Sequence, residues 1–256
     1  MLGALFTVLA LSLIACSDDD AADPAADAPE SPAADASESP DPDEVDSSES
    51  GPAERDDSDV EADRQIAERA VLRLDDFPPG WQEQVQQDED DEALQAGIAE
   101  CAGYDFEELY GGGERAASPT FVSSQDEEIT SSVTVFPTEE AASRRYDAKT
   151  APATIDCVGD AMRSVLRLEG AGEGIEVLNV EINRLSTSAL GDQTYGFRVT
   201  LELRAQGMTL PVYLDVVGVR VGRVGASVTA MSTFSPYFTS DLEGYVETVV
   251  SRIDLD

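Results

Sequence analysis

The stretch YGFRVTLELRAQGMTLPVYLDV, Tyr195–Val216, carries the pattern from which the fold follows. Tyr195, Phe197, Val199, Leu201 and Leu203 alternate with Gly196, Arg198, Thr200, Glu202 and Arg204. A period of two puts one apolar row on one side of a strand. Leu210, Val212, Leu214 and Val216 resume the alternation after Gln206-Gly207, a pair suited to a two-residue hairpin turn. Such a turn sets the register. Leu203 then faces Leu210, Leu201 faces Val212, and Val199 faces Leu214. On the other side Thr200 meets Tyr213 and Arg198 meets Asp215, so opposite charges fall across from each other.

The pattern extends outward to a meander over about residues 175–233. Its next turn, at Val221-Gly222-Arg223, is expected to hold three residues. If the sheet has a single apolar face, a two-residue turn there puts Val224, Ala226 and Val228 on the polar side. Phe121-Val122 and the run from Ile129 to Phe136 read as further strands. Ile66, Ala67, Ala70 and Val71 share a helix face, and Asp76-Phe77-Pro78-Pro79-Gly80-Trp81 ends that helix. Helices are also expected over Glu92 to Ala102, from the Thr138 cap, over Ile155 to Leu168, and from a Ser240 cap to Ile253. The last of these carries the stripe Leu242, Val246, Val249, Ile253. The expectation is an α+β fold: a twisted, mostly antiparallel sheet with helices packed on one face.

The chain has 256 residues, 53 acidic against 16 basic, a net charge of −37, three Cys and no His. A surface this acidic repels phosphate backbones, so no nucleic-acid partner is expected. Without His there is no Ser-His-Asp triad, no Cys-His pair and no His-ligated metal, and three Cys cannot form a Cys₄ zinc site. Nucleophile-elbow and phosphate-loop motifs are also missing from the sequence. The chain therefore reads as non-catalytic, with neither metal nor cofactor. The remaining catalytic option is hydrolysis by two carboxylates alone. Asp88 to Glu92, five acids in a row, reads as a solvated loop, with a Ca²⁺ site as the alternative.

The charge is uneven. Residues 17–63 hold 19 acids, one base, six of the 13 prolines and no aromatic residue. They cannot bury enough apolar surface to offset their chain entropy, and a disordered tether is expected there. As a coil it reaches roughly 40 Å. A single globular domain is expected over residues 64–256, long enough for a full core.

Residues 1–15, MLGALFTVLALSLIA, are apolar and fall short of the ~20 residues needed to span a bilayer. They match the apolar part of a secretory signal, and Leu13-Ile14-Ala15-Cys16 resembles a bacterial lipobox. That resemblance implies cleavage after Ala15, lipid on Cys16, and an extracytoplasmic protein anchored to the cell membrane by its acyl chains. Cys101 and Cys157 then remain. In an exported protein they are expected to form a disulfide, with two buried thiols as the alternative.

Three further segments, Asp76 to Trp81 (DFPPGW), Val133 to Ala142 (VTVFPTEEAA) followed by Cys157, and Val216 to Val224 (VVGVRVGRV), carry a family likeness. They resemble the extracellular sensor domain of mycobacterial-type serine/threonine kinases and of related stand-alone actinobacterial lipoproteins. The resemblance covers about residues 72–253. It implies a twisted antiparallel sheet flanked by helices, with a cleft for a ligand. This chain has two domain cysteines where that family commonly has two disulfides. The function expected is a membrane-anchored lipoprotein whose non-catalytic, ligand-binding or sensor-like domain takes a small molecule or an envelope partner in a cleft between helices and sheet. The alternative is an envelope protein that binds another protein through the sheet face or the C-terminal helix. Candidate ligand residues are Arg198, Thr200, Tyr213 and Asp215, which share the polar face of the central hairpin, and Trp81, the single Trp. The plainer roles for them are a surface ion pair, a surface Tyr and a core Trp.

Overall fold

A computed structural model describes residues 56–84, 92–106 and 112–253. It opens with α1 (Asp57–Ala70), which starts seven residues before the expected domain boundary at Arg64. The carboxylate of Asp56 accepts the Ser58 N–H at 3.0 Å, and Asp57 and Asp59 lie in the first turn, where negative charge is favoured. Asp63 is 2 % exposed. Arg223 donates to it from Nη1 at 2.8 Å and from Nη2 at 2.5 Å, and Nη1 also reaches the Phe136 carbonyl at 3.0 Å. The last acids assigned to the tether are thus a cap, a first turn and a buried ion-pair partner. The described unit begins at Asp56.

A single 3₁₀ turn (Leu74–Asp76) leads to β1 (Gln82–Gln84), α2 (Glu92–Ala102), β2 (Glu114–Ala117), β3 (Thr120–Val122) and β4 (Glu128–Val135). Next come α3 (Glu139–Thr150), α4 (Pro152–Glu173), β5 (Ile175–Arg184), β6 (Gln193–Ala205), β7 (Met208–Val221), β8 (Val224–Thr233) and α5 (Thr239–Val250). The strands form one antiparallel sheet in the order β1-β3-β4-β8-β7-β6-β5, with β2 also on β4. The β6–β7 register is the expected one: Leu203 opposite Leu210, Leu201 opposite Val212, Val199 opposite Leu214, Thr200 opposite Tyr213, Arg198 opposite Asp215. Gln206 and Gly207 take φ of 52° and 81°, the left-handed pair that a type I′ turn needs.

The β7–β8 turn differs from expectation. Val221 pairs with Val224, so the loop is two residues, with Gly222 at φ 54°. The three-residue expectation assumed one apolar face, and this sheet has two. Val199, Leu214 and Met231 form a row packed with Met162 and Leu166 of α4. One residue along each strand, Ala230 and Ile129 point the other way. They join Val217, Val219, Val224, Ala226, Val228, Val133 and Val135 under Ala67 and Ala70 of α1 and Leu242, Val246 and Val249 of α5. Helices therefore cover both faces rather than one, within the expected α+β antiparallel class. The Val216-Val217 doublet marks where β7 moves its apolar row from one side to the other.

Two cap expectations divide. Thr138 Oγ1 accepts the Ala141 N–H at 3.1 Å and caps α3. Helix α5 begins after Phe238 with no side-chain cap, and Ser240 lies inside it. A disulfide joins Cys101 of α2 to Cys157 of α4 with a Cα–Cα distance of 5.8 Å. Ile98, Ala99, Ala148 and Cys157 make a small core beside it. No helix among the described residues is long and apolar enough to cross a membrane.

Candidate functional site

The four hairpin candidates do come together, and the structure buries them further than a wet sheet face allows. Arg198 donates from Nε to Asp215 Oδ1 at 2.6 Å and from Nη2 to Oδ2 at 3.0 Å. Nη2 also donates to the Tyr237 carbonyl at 3.0 Å, in the loop before α5. Asp215 is completely buried, so the pair is an internal brace between hairpin and loop. The Arg198 guanidinium lies 6.0 Å from the Tyr213 ring centre, and Thr200 sits opposite Tyr213. Trp81 belongs to a different group. Its ring is 4.8 Å from Phe77, which in turn meets Phe121 at 4.5 Å and Tyr245 at 4.8 Å. It is half-buried at the edge of the larger core. Cys16 and the rest of the lipobox lie outside the described residues, as do Asp88 to Asp91.

A cavity that the hairpin reading did not anticipate opens beneath α3, on the sheet face that α4 also covers. Its volume is about 50 Å³. Helix α3 contributes Arg145, Tyr146 and Lys149; the sheet contributes Tyr195, Arg220, Ser132 and Ser227. The two serines share a hydrogen bond across β4 and β8, Oγ to Oγ at 3.0 Å. The tyrosine wall depends on a glycine. Tyr195 stands opposite Gly218, and a Cβ at Gly218 would lie 2.2 Å from Tyr195 Cζ, so the ring lies flat over that bare backbone. Tyr146 meets Tyr195 edge-on at 5.5 Å between centres.

Charge in this cavity is unusual. Burial pushes the Tyr195 phenol up to about 12, with Tyr146 adding to the rise. Lys149 is the only lysine of the chain. Its side chain is half-buried, and desolvation lowers the amine from 10.5 to about 7, helped by Arg145 and Arg115. Among the described residues no carboxylate pairs with Lys149. Arg220 is held in place: Nε donates to Gln193 Oε1 at 2.5 Å and Nη1 to the Gly222 carbonyl at 2.8 Å, with Glu139 at 3.3 Å and Asp192 at 3.4 Å. Arg145 is buried, with its guanidinium 5.6 Å from the Phe136 ring centre. The result is a recess lined by three basic side chains and four hydroxyls in an acidic chain. No group of three or more Cys, Asp or Glu suited to a metal occurs among the described residues.

The helix that supplies these cations is legible in the sequence from Thr138 onward, and a basic residue interrupts its buried stripe. Ala142, Arg145 and Ala148 turn inward at helical spacing, with Lys149 beside them. A sole lysine next to an apolar stripe was the available signal.

No protein-family model and no curated protein matches the chain. Among solved structures, the extracellular domain of PknH from Mycobacterium tuberculosis is similar at 11 % identity and a TM-score of 0.38, covering 75 % of this chain and 97 % of that one. An uncharacterised protein from Mycobacterium smegmatis is similar at 14 % identity and a TM-score of 0.39, with the same coverage.

Proposed function

We propose that this chain is an extracytoplasmic lipoprotein, tethered to the cell membrane through Cys16, whose folded domain binds a ligand as a non-catalytic, sensor-like module. The observation that carries the binding reading is the cavity beneath α3. It combines an aromatic wall with convergent polar groups, and the Lys149 amine has no carboxylate partner among the described residues. The lipobox and the acidic tether of the sequence support the anchoring. Arg198, Thr200, Tyr213 and Asp215 serve this reading as the frame of the hairpin whose strands form the cavity floor.

The test is capture of small molecules and lipids from envelope extracts by the full chain, read by mass spectrometry. Enrichment that is lost when Gly218→Ala displaces the Tyr195 wall is the expected result. Capture that is indifferent to cavity variants, or no capture, refutes the assignment. For the anchor, Cys16→Ser is expected to move the protein out of the membrane fraction, and retention there refutes lipidation.

A second reading, an envelope protein that docks on another protein, has one observation in its favour. Phe234 and Phe238, flanking the start of α5, are 62 % and 75 % exposed. The apolar stripe of α5 itself is occupied by the domain's own core.

A further inference from the structure

We infer that the cavity beneath α3 takes a small oxyanion, a phosphate- or carboxylate-type group, bound by the Lys149 ammonium. The group is either free or the charged end of a larger molecule. This rests on the reading of the domain as ligand-binding and names the class of ligand.

The argument starts from how this domain treats its other enclosed cations. Arg198 is matched by Asp215, Arg223 by Asp63 and Arg252 by Asp76, each with two guanidinium nitrogens on one carboxylate. The chain has 53 acids to draw on. Lys149 has none of them as an ion-pair partner among the described residues, and its neighbours Arg145 and Arg115 are cations. An ammonium that lines a recess beside guanidiniums, with no carboxylate against it, is stabilised by an anion seated there. The wall chemistry suits the same guest, because the hydroxyls of Tyr146, Tyr195 and whichever serine of the Ser132–Ser227 pair accepts from the other can donate to its oxygens.

Size narrows the class. A volume of about 50 Å³ holds a few water molecules or one group of four or five heavy atoms, and is far below the ~300 Å³ of a cavity for a whole drug-sized ligand. Any larger molecule therefore presents only its charged end.

The test is calorimetric titration of the full chain in detergent at pH 6.5. The probes are inorganic phosphate, acetate, the uncharged acetamide, and dihexanoyl phosphatidylglycerol below its micelle concentration. Phosphate, acetate or both are expected to bind one to one and acetamide not to bind. Lys149→Met is expected to weaken the anion at least about tenfold, and Lys149→Arg to keep it within a few-fold. Tighter binding of the phosphatidylglycerol than of phosphate identifies a lipid headgroup as the source; the reverse identifies a free ion. Both support the class. Equal binding of acetamide and acetate, undiminished binding by a folded Lys149→Met, or no anion bound by the wild type overturns it. If the anion fails but an uncharged envelope molecule is still captured and lost on Gly218→Ala, the ligand-binding reading survives. If capture also fails, both fall.

Discussion

Replacing Asp215 by Asn tests whether the central hairpin is braced by a buried charge pair. Asp215 is 0 % exposed and receives two N–H groups of Arg198, at 2.6 and 3.0 Å. The side chain of Arg198 keeps 22 % exposure and a third bond to the Tyr237 carbonyl. Asn preserves the shape and removes the charge, which leaves a guanidinium facing a neutral amide. Breaking a buried pair from one side costs about 3–5 kcal/mol, and partial access of Arg198 to water argues for the lower end, about 3 kcal/mol. At about 2–4 °C per kcal/mol for a domain of this size, melting falls by roughly 6–12 °C. Urea unfolding reports the free energy directly, because Trp81 is the only Trp and packs on Phe77 in the core. The double variant Arg198→Met, Asp215→Leu leaves no charge behind and is expected within about 1 kcal/mol of wild type. A cost below about 1 kcal/mol for Asp215→Asn would refute the reasoning, since that is what an exposed pair contributes.

Four further outcomes follow from the same geometry. Gly218→Ala collides with the Tyr195 ring and is expected to cost about 1–3 kcal/mol; adding Tyr195→Ala removes the collision, so an additive double-mutant cycle refutes the contact. Reducing Cys101–Cys157 opens a loop with a sequence separation of 56 and is expected to cost up to about 4 kcal/mol, read by the urea midpoint with and without reductant. Lys149 has a folded value of about 7, below its unfolded 10.5, so the unfolded chain holds more protons between those values and stability rises with pH across that window. Lys149→Met should flatten that rise and stabilise the protein below pH 7 by at most about 5 kcal/mol; an unchanged profile refutes the lowered amine. From Asp56 onward acids outnumber bases by 39 to 15, so the melting temperature should climb between low and molar salt, and a fall would show that the paired charges dominate.

The hairpin was legible because alternation and a Gln-Gly turn fix register locally, and Arg198 opposite Asp215 confirmed it within the sequence. The layering was not. Period-two alternation tells which side of one strand is apolar, but Val216-Val217 is ambiguous until a neighbouring strand is in place. The sheet there changes its buried side from the α4 face to the face of α1 and α5, and the two-residue Gly222-Arg223 turn is the consequence. The start of the domain is hidden in the sequence for a similar reason. Composition averages over a window, and Asp57, Asp59 and Asp63 look like tether residues until Arg223, 160 residues later, claims the last of them. Long-range ion pairing leaves no local trace.

The same limit explains why the charged cavity escaped and what the acid surplus means. In a chain with 53 acids one more buried carboxylate carries no signal, whereas a single lysine does. Its helix brings it and Arg145 over the Tyr195–Gly218 cross-strand pair, which is visible only once β6 and β7 are in register. An acidic surface around a cationic recess also has a kinetic consequence. It repels anions at long range, so an anion meets an outer barrier that salt lowers and an inner well that salt screens less. The association rate of phosphate is therefore expected to increase from low to moderate ionic strength while its dissociation rate changes little. A cationic recess reached through a neutral surface gives the opposite trend, and stopped-flow mixing at two salt concentrations separates the two.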